Sequence, residues 1–236
     1  MRRAARVVAR TLDMVDENIR PGMTTAELDR LIEEFIRSMG AVPGFKGYQG
    51  YPAAACVSID DEVVHGIPGK RVMKEGEIVS VDVGSIVDGY YGDSARTYAI
   101  GEVSQEKVHL MEITQKSLMA GIDKAQKGNK LGQVSAAVQR VAEGEGYGVV
   151  RELVGHGIGR NLHEEPQVPN FGSEDDGPVL KAGTVLAIEP MINMGTHRVK
   201  ALPDGWTVVT ADGQPSAHFE HTVAIGDDGT TILTVA

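Results

Sequence analysis

The chain has 236 residues, 42% of them hydrophobic, and its 23 basic against 33 acidic side chains leave a formal charge of −10. That supplies enough apolar material for one large core and argues against nucleic acid as the main partner. A single cysteine, Cys56, excludes an intrachain disulfide, and with no apolar run long enough for a bilayer the expected address is the cytoplasm, away from any membrane.

Met1 to Arg10 is basic without a continuous apolar stretch and does not read as a secretory signal. Apolar groups at Ala5, Val8, Leu12, Val15 and Ile19 have helical spacing and predict a first helix over 2–19. Pro21-Gly22 breaks it. Thr24 followed by Glu27 reads as a capping box for a second helix from Thr25 to Met39, with Leu28, Leu31, Ile32, Phe35 and Ile36 as its buried stripe. From Pro43 to Ile100 the pattern turns to short strands, best defined at Ala53–Ile59, Ile78–Gly84 and Tyr90–Ile100. Two helices follow, at Gln105–Ala120 with Ser104 as N-cap, and at Leu131–Glu145. The remainder is strand-rich and punctuated by glycine. The order helices, strands, helices, strands suggests two similar halves within a single α+β domain over 1–236.

Five side chains carry the chemistry. Asp82 interrupts a valine-rich strand, where an unpaired carboxylate would be costly. Asp88-Gly89 is a good two-residue hairpin turn, which sets position 82 opposite 95 and makes Asp93 the diagonal neighbour of Asp82 on one face. The plainer reading is a pair of exposed strand aspartates, or Asp93 bonded to Arg96. His156 is framed by Gly155, Gly157 and Gly159, with His163 seven residues on. A lone histidine is more often a core or surface residue than a ligand, and this framing shifts the balance towards a ligand. Glu189 ends an apolar strand, and Pro190 enforces an extended conformation there. Glu220 interrupts another strand, and strand alternation is expected to turn its neighbours His218 and His221 away from its face. His65 is weak evidence by itself. Four carboxylates and one imidazole suit two divalent cations of the manganese, iron, cobalt or zinc type, whose charges balance the carboxylates.

Eight segments, in order and at fitting spacing, resemble one family: Gly47-Tyr-Gln-Gly-Tyr-Pro, Val64-His-Gly-Ile-Pro, Val81-Asp-Val-Gly, Gly92-Asp-Ser-Ala-Arg-Thr, Gly155-His-Gly-Ile-Gly, His163-Glu-Glu-Pro, Ile188-Glu-Pro and Glu220-His-Thr. Together they resemble the methionine aminopeptidases of the short, bacterial type I form, over nearly the whole chain. The resemblance implies the pita-bread α+β fold, with pseudo-twofold halves and a curved antiparallel sheet. It implies that Asp82 chelates one metal, that His156 and Glu189 hold the other, and that Asp93 and Glu220 bridge both. A metal-activated water would be the nucleophile and Glu189 its proton carrier. His163 would polarise the scissile carbonyl, and His65 would stand near the scissile nitrogen.

The same resemblance places a methionine pocket at Phe45, Tyr48, Tyr51, Cys56, Leu162 and Trp206, residues otherwise read as core. Relatives often have cysteine at the position of Phe45 and phenylalanine at that of Leu162, so the pocket of this chain is retuned. The implied activity is removal of initiator methionine from the N-termini of nascent polypeptides by a monomer, favouring a small second residue, with direct ribosome contact left open. Two rivals are a proline-directed peptidase, which normally carries an added N-terminal domain, and a non-catalytic binding protein on the same fold, which typically loses metal ligands. Type II enzymes carry a helical insertion for which the stretch from His163 to Glu189 is too short.

Overall fold

Helix α1 (Arg2–Asn18) forms where the apolar spacing dictates and buries Ala4, Ala5, Val8, Leu12 and Val15, while Arg2, Arg3, Arg6 and Arg10 stay exposed. The structure, a computed structural model, describes all residues 1–236. Helix α1 lies on a long hairpin made by the strands Ile78–Val87 and Tyr90–Ala99. A side chain at Gly92 would put its Cβ 2.5 Å from the Ala5 nitrogen, so glycine is what lets helix and hairpin close.

Helix α2 (Thr25–Ser38) opens on the expected capping box: Glu27 N–H donates to Thr24 Oγ1 at 3.2 Å and Thr24 N–H to Glu27 Oε2 at 2.7 Å. Its buried stripe is narrower than expected, since Leu28, Ile32 and Ile36 are buried and Leu31 and Phe35 only half-buried. Asp29 on the same helix accepts the N–H groups of Ala54 and Ala55 at 2.9 Å each. Those donors are thereby taken from the ladder, and the strand runs Ala55–Ile59 rather than from Ala53.

The hairpin closes on Asp88-Gly89, both with positive φ (52° and 75°), the backbone a two-residue turn requires. Val87 pairs with Tyr90 and Asp82 with Ala95, the register expected from the turn. The first strand continues past Gly84 to Val87, because Val42–Pro43 and Tyr90–Ala99 pair with it on either side. The sheet of the first half is thus Val42–Pro43, Ile78–Val87 and Ala55–Ile59, with Tyr90–Ala99 also joined to Ile78–Val87.

The second half repeats the scheme. Helices α3 (Gln105–Lys124) and α4 (Leu131–Gly144) cover a five-stranded sheet ordered Thr230–Ile232, His221–Ile225, Val185–Ile188, Gly155–Gly157, Glu164–Val168. Ser104 caps α3, as expected, accepting from Lys107 N–H at 3.4 Å. The helix runs four residues past Ala120, through Gly121, which faces α4 where a Cβ would sit 2.7 Å from Val138 Cγ2. Each half has its own core, one around Leu12, Ile32 and Val81, the other around Leu118, Val134 and Ile188. All paired strands in both halves are antiparallel, including the short strands Met191–Asn193 and Ser216–His218 that lie between them.

The two halves are stitched side by side through hydroxyls. Ser94 Oγ donates to the Glu220 carbonyl at 2.5 Å, Thr97 Oγ1 to the His218 carbonyl at 2.8 Å, and Thr222 Oγ1 to the Asp93 carbonyl at 2.7 Å. Glu220 N–H returns a bond to the Ala95 carbonyl at 2.9 Å.

Candidate metal centre

Between the halves lies a cavity of about 200 Å³ lined by 14 residues. They include all of the site and pocket positions named from the sequence, with Gln49 added. Asp82 and Asp93 come from the two strands of the first-half hairpin, His156 from the short interior strand Gly155–Gly157, and Glu189 and Glu220 from the ends of second-half strands. Asp93, His156 and Glu220 each place one ligand atom within 4.8 Å of the others. His156 Nε2 stands 3.9 Å from Asp93 Oδ2 and 3.6 Å from Glu189 Oε1. Its Nδ1 lies 2.8 Å from the Gly157 carbonyl, which only a protonated Nδ1 can satisfy, so the Nε2 lone pair faces the carboxylates.

Arg96 does not neutralise Asp93. It reaches Asp13 at 3.3 Å instead, which removes the plainer pairing considered from the sequence. Burial drives the site's charges towards neutrality. Desolvation pushes the Asp82 carboxyl up to about 7. Asp93 rises well above the ordinary carboxylate range through desolvation first, then the charges of Asp82 and Glu189. Glu189 rises through desolvation and Asp82, and Glu220 through desolvation, Asp93, Glu189 and Asp82. Desolvation lowers His156 to about 4.

The remaining predicted positions surround this floor. His65 is half-buried with a left-handed backbone (φ 61°), a conformation held because the next residue's carbonyl accepts from Tyr51 Oη at 3.0 Å and Val57 N–H at 2.9 Å. His163 is exposed at the mouth, its ring edge-on to His156 with centroids 4.4 Å apart. Desolvation lowers both His65 and His163. The ladder sets Cys56 directly opposite Asp82, which places the thiol on the cavity face. Phe45 stacks on Gly84, where a Cβ would meet its ring at 2.5 Å. Trp206 meets Tyr51 edge-on at 5.0 Å, held by a turn in which Asp204 accepts the N–H groups of Trp206 and Thr207 at 2.9 Å each.

One expectation fails. His218 does not turn away: it is buried, and its Nε2 lies 3.8 Å from Glu189 Oε2 with no hydrogen-bond partner. The strand breaks at Phe219-Glu220, between Ser216–His218 and His221–Ile225, so alternation does not carry across. His221, beyond the break, does turn away and bonds Thr234 Oγ1 through Nδ1 at 2.8 Å. Gln49 and the stitching hydroxyls of Ser94 and Thr222 were also missed. Ser94 and Thr222 sit next to the motif carboxylates, a signal that their position alone carried.

The profile of metallopeptidase family M24 matches residues 1–227. The chain belongs to metallopeptidase family M24. Methionine aminopeptidase of Clostridium acetobutylicum is 53% identical over 236 residues, spanning all of this chain and 94% of the relative. The crystal structure of methionine aminopeptidase from Thermotoga maritima superposes with a TM-score of 0.98 at 46% identity, covering all of this chain and 95% of that one. A prolidase from Pyrococcus furiosus shares the fold alone, at a TM-score of 0.81 and 22% identity, with 62% of its length covered. The pita-bread fold expected from the motifs is therefore the fold of this M24 chain.

An M24 metallopeptidase uses divalent metal, and the residues here fit one. Asp82 Oδ1, Asp93 Oδ1 and Glu220 Oε1 are buried with no hydrogen-bond partner, an expensive arrangement for carboxylates. Oxygen donors with one imidazole whose free nitrogen is aimed at them form a set for a hard to intermediate divalent cation.

Proposed function

We propose that this chain is a type I methionine aminopeptidase that hydrolyses the bond after an initiator methionine when the second residue is small. The observation that carries the reading is that one cavity joins the carboxylate and imidazole floor to an apolar wall of Phe45, Tyr51, Cys56, Leu162 and Trp206. That wall suits an unbranched thioether. Because the floor draws on both halves, residues 1–236 act as one catalytic unit.

Asp82, Asp93, His156, Glu189 and Glu220 would hold two divalent cations, of manganese, iron, cobalt or zinc. When bound, these supply Lewis acidity and lower the pKa of an attacking water. Glu189, at the edge of the floor, accepts a proton from that water and passes it to the leaving amine. His163 at the mouth donates to the carbonyl oxygen as its negative charge develops. His65 stands beside the scissile nitrogen and positions it. The substrate is the free N-terminus of a nascent polypeptide in the cytoplasm, and the protein works as a monomer.

The test is hydrolysis of Met-Ala-Ser and of Ala-Pro-Ala by chelator-stripped protein with manganese or cobalt restored. Metal-dependent release of methionine from the first alone is expected. Cleavage of the second alone would move the chain to the proline-directed peptidases, and cleavage of neither, with metal bound, to a binding role.

A further inference from the structure

Tyr48 lines the cavity with its ring, and its hydroxyl makes a specific polar contact. Tyr48 Oη lies 2.7 Å from His163 Nδ1, with the rings edge-on at 5.3 Å. Gln49 Nε2 donates to the same hydroxyl at 3.3 Å. No other side-chain hydrogen bond holds the exposed His163 ring.

We propose that Tyr48 is the positioning residue of His163: its O–H donates to Nδ1 and holds the imidazole as the Nε2–H tautomer, so that Nε2–H is the group presented to the substrate carbonyl. The inference rests on the role of His163 proposed above.

The direction of the bond follows from the chemistry of the two groups. A neutral imidazole has one donor and one acceptor nitrogen. A phenol is a stronger acid than an imidazole N–H, and an imidazole lone pair is a stronger base than a phenolic oxygen, so the favoured pairing is O–H to N. The Gln49 amide fills an acceptor site on the same oxygen, leaving its single proton for His163. The opposite tautomer would aim a lone pair at the carbonyl oxygen and set two acceptors against each other. Gln49 keeps this place with a left-handed backbone (φ 48°, ψ 23°) within the turn Tyr48–Gly50, a costly conformation of the kind that collects at working sites.

Tyr48→Phe keeps the ring and removes only the hydroxyl. In the metal-loaded protein, kcat on Met-Ala-Ser should fall about tenfold, the worth of one hydrogen bond, with KM within about twofold and metal content unchanged. In a His163→Ala background the same change should cost nothing further. Nitrogen-15 NMR of protein with labelled imidazoles, read on metal-free and loaded samples, should show His163 protonated at Nε2, and a tautomer mixture in Tyr48→Phe. An Nδ1–H tautomer in the wild type would overturn the proposal. So would equal cost in both backgrounds, or a raised KM with unchanged kcat, which is the mark of a pocket wall. Full activity of His163→Ala would overturn the role of His163 itself, and the NMR tautomer keeps that outcome distinct from failure of the Tyr48 bond.

Discussion

Thr222 and Asp93 clasp each other across the two halves: Thr222 Oγ1 donates to the Asp93 carbonyl at 2.7 Å and accepts the Asp93 N–H at 3.2 Å. Ser94 does the reciprocal service for the Glu220 carbonyl at 2.5 Å. The main chains of Asp93 and Glu220, which would hold metal, are thus tied through hydroxyls of the opposite half. Thr222→Val keeps the volume and leaves both Asp93 groups buried without partners. We expect it to cost about 2 kcal/mol and to weaken metal binding, while Thr222→Ser stays near wild type. Thermal unfolding and calorimetric metal titration of the two variants check this. Equal metal affinity in wild type and Thr222→Val would show that the clasp does not shape the site.

Above about pH 6.5 the metal-free protein should lose stability as the pH rises. Asp82 moves from 3.8 in the free residue up to about 7, and Asp93, Glu189 and Glu220 also rise. Where a folded-state carboxyl pKa is raised, the native state holds protons that the unfolded chain has released, so stability falls as pH climbs through that window. The buried histidines oppose this lower down: His156 and His221 drop to about 4 and His218 to about 3, which makes stability rise with pH until about 6.5. Above about 6.5 the histidines no longer contribute, and the four raised carboxylates are opposed only by the half-exposed Met1 amino group, which burial lowers from 8.0. Chelated protein should therefore melt lower at pH 8 than at pH 6.5, and manganese should abolish the decline. Melting curves at the two pH values, with and without metal, decide it; a higher melting point at pH 8 without metal would refute the buried-carboxylate account.

Glu220→Gln separates folding from function. The amide keeps the shape but cannot ionise, so it relieves repulsion from Asp93, Glu189 and Asp82. The metal-free variant at pH 7.5 should melt a few degrees above metal-free wild type, while its kcat/KM falls by about a thousandfold or more. Asp93→Asn should behave alike. Activity near wild type in either would remove that carboxylate from the site.

Much of this was legible because the signals are local. The Thr24-x-x-Glu27 box, the Asp88-Gly89 turn and the register that sets Asp82 opposite Ala95 each follow from a few neighbouring residues. Carboxylates inside valine-rich strands announce a site because their burial is costly. What stayed hidden depends on distant contacts. Gly121 is needed inside helix α3 because Val138 of α4 packs against it, and the Ala54 and Ala55 N–H groups at the start of the strand are held by Asp29. His218 reaches Glu189 because the strand breaks before Glu220, a break that alternation cannot reveal.

The glycines beside His156 separate backbone crowding from side-chain crowding. At Gly157 a Cβ would overlap the Glu165 carbonyl on one neighbouring strand, and at Gly155 the Ala187 carbonyl on the other. Neither carbonyl can retreat without disturbing the ladders that hold His156 between Gln167 and Ala187. At Gly159 the nearest atoms are instead the Glu164 carboxylate oxygens, at 2.8 and 3.0 Å, the end of a side chain that can shift while Oε1 keeps its bond from the Asn161 N–H at 2.8 Å. Gly157→Ala should therefore cost about 3 kcal/mol and strip the metal by displacing His156, whereas Gly159→Ala should cost under about 1 kcal/mol and leave metal content unchanged. Denaturant unfolding and metal analysis of the pair test the difference. Similar losses in both would mean that the crowding at His156 is not what demands glycine there.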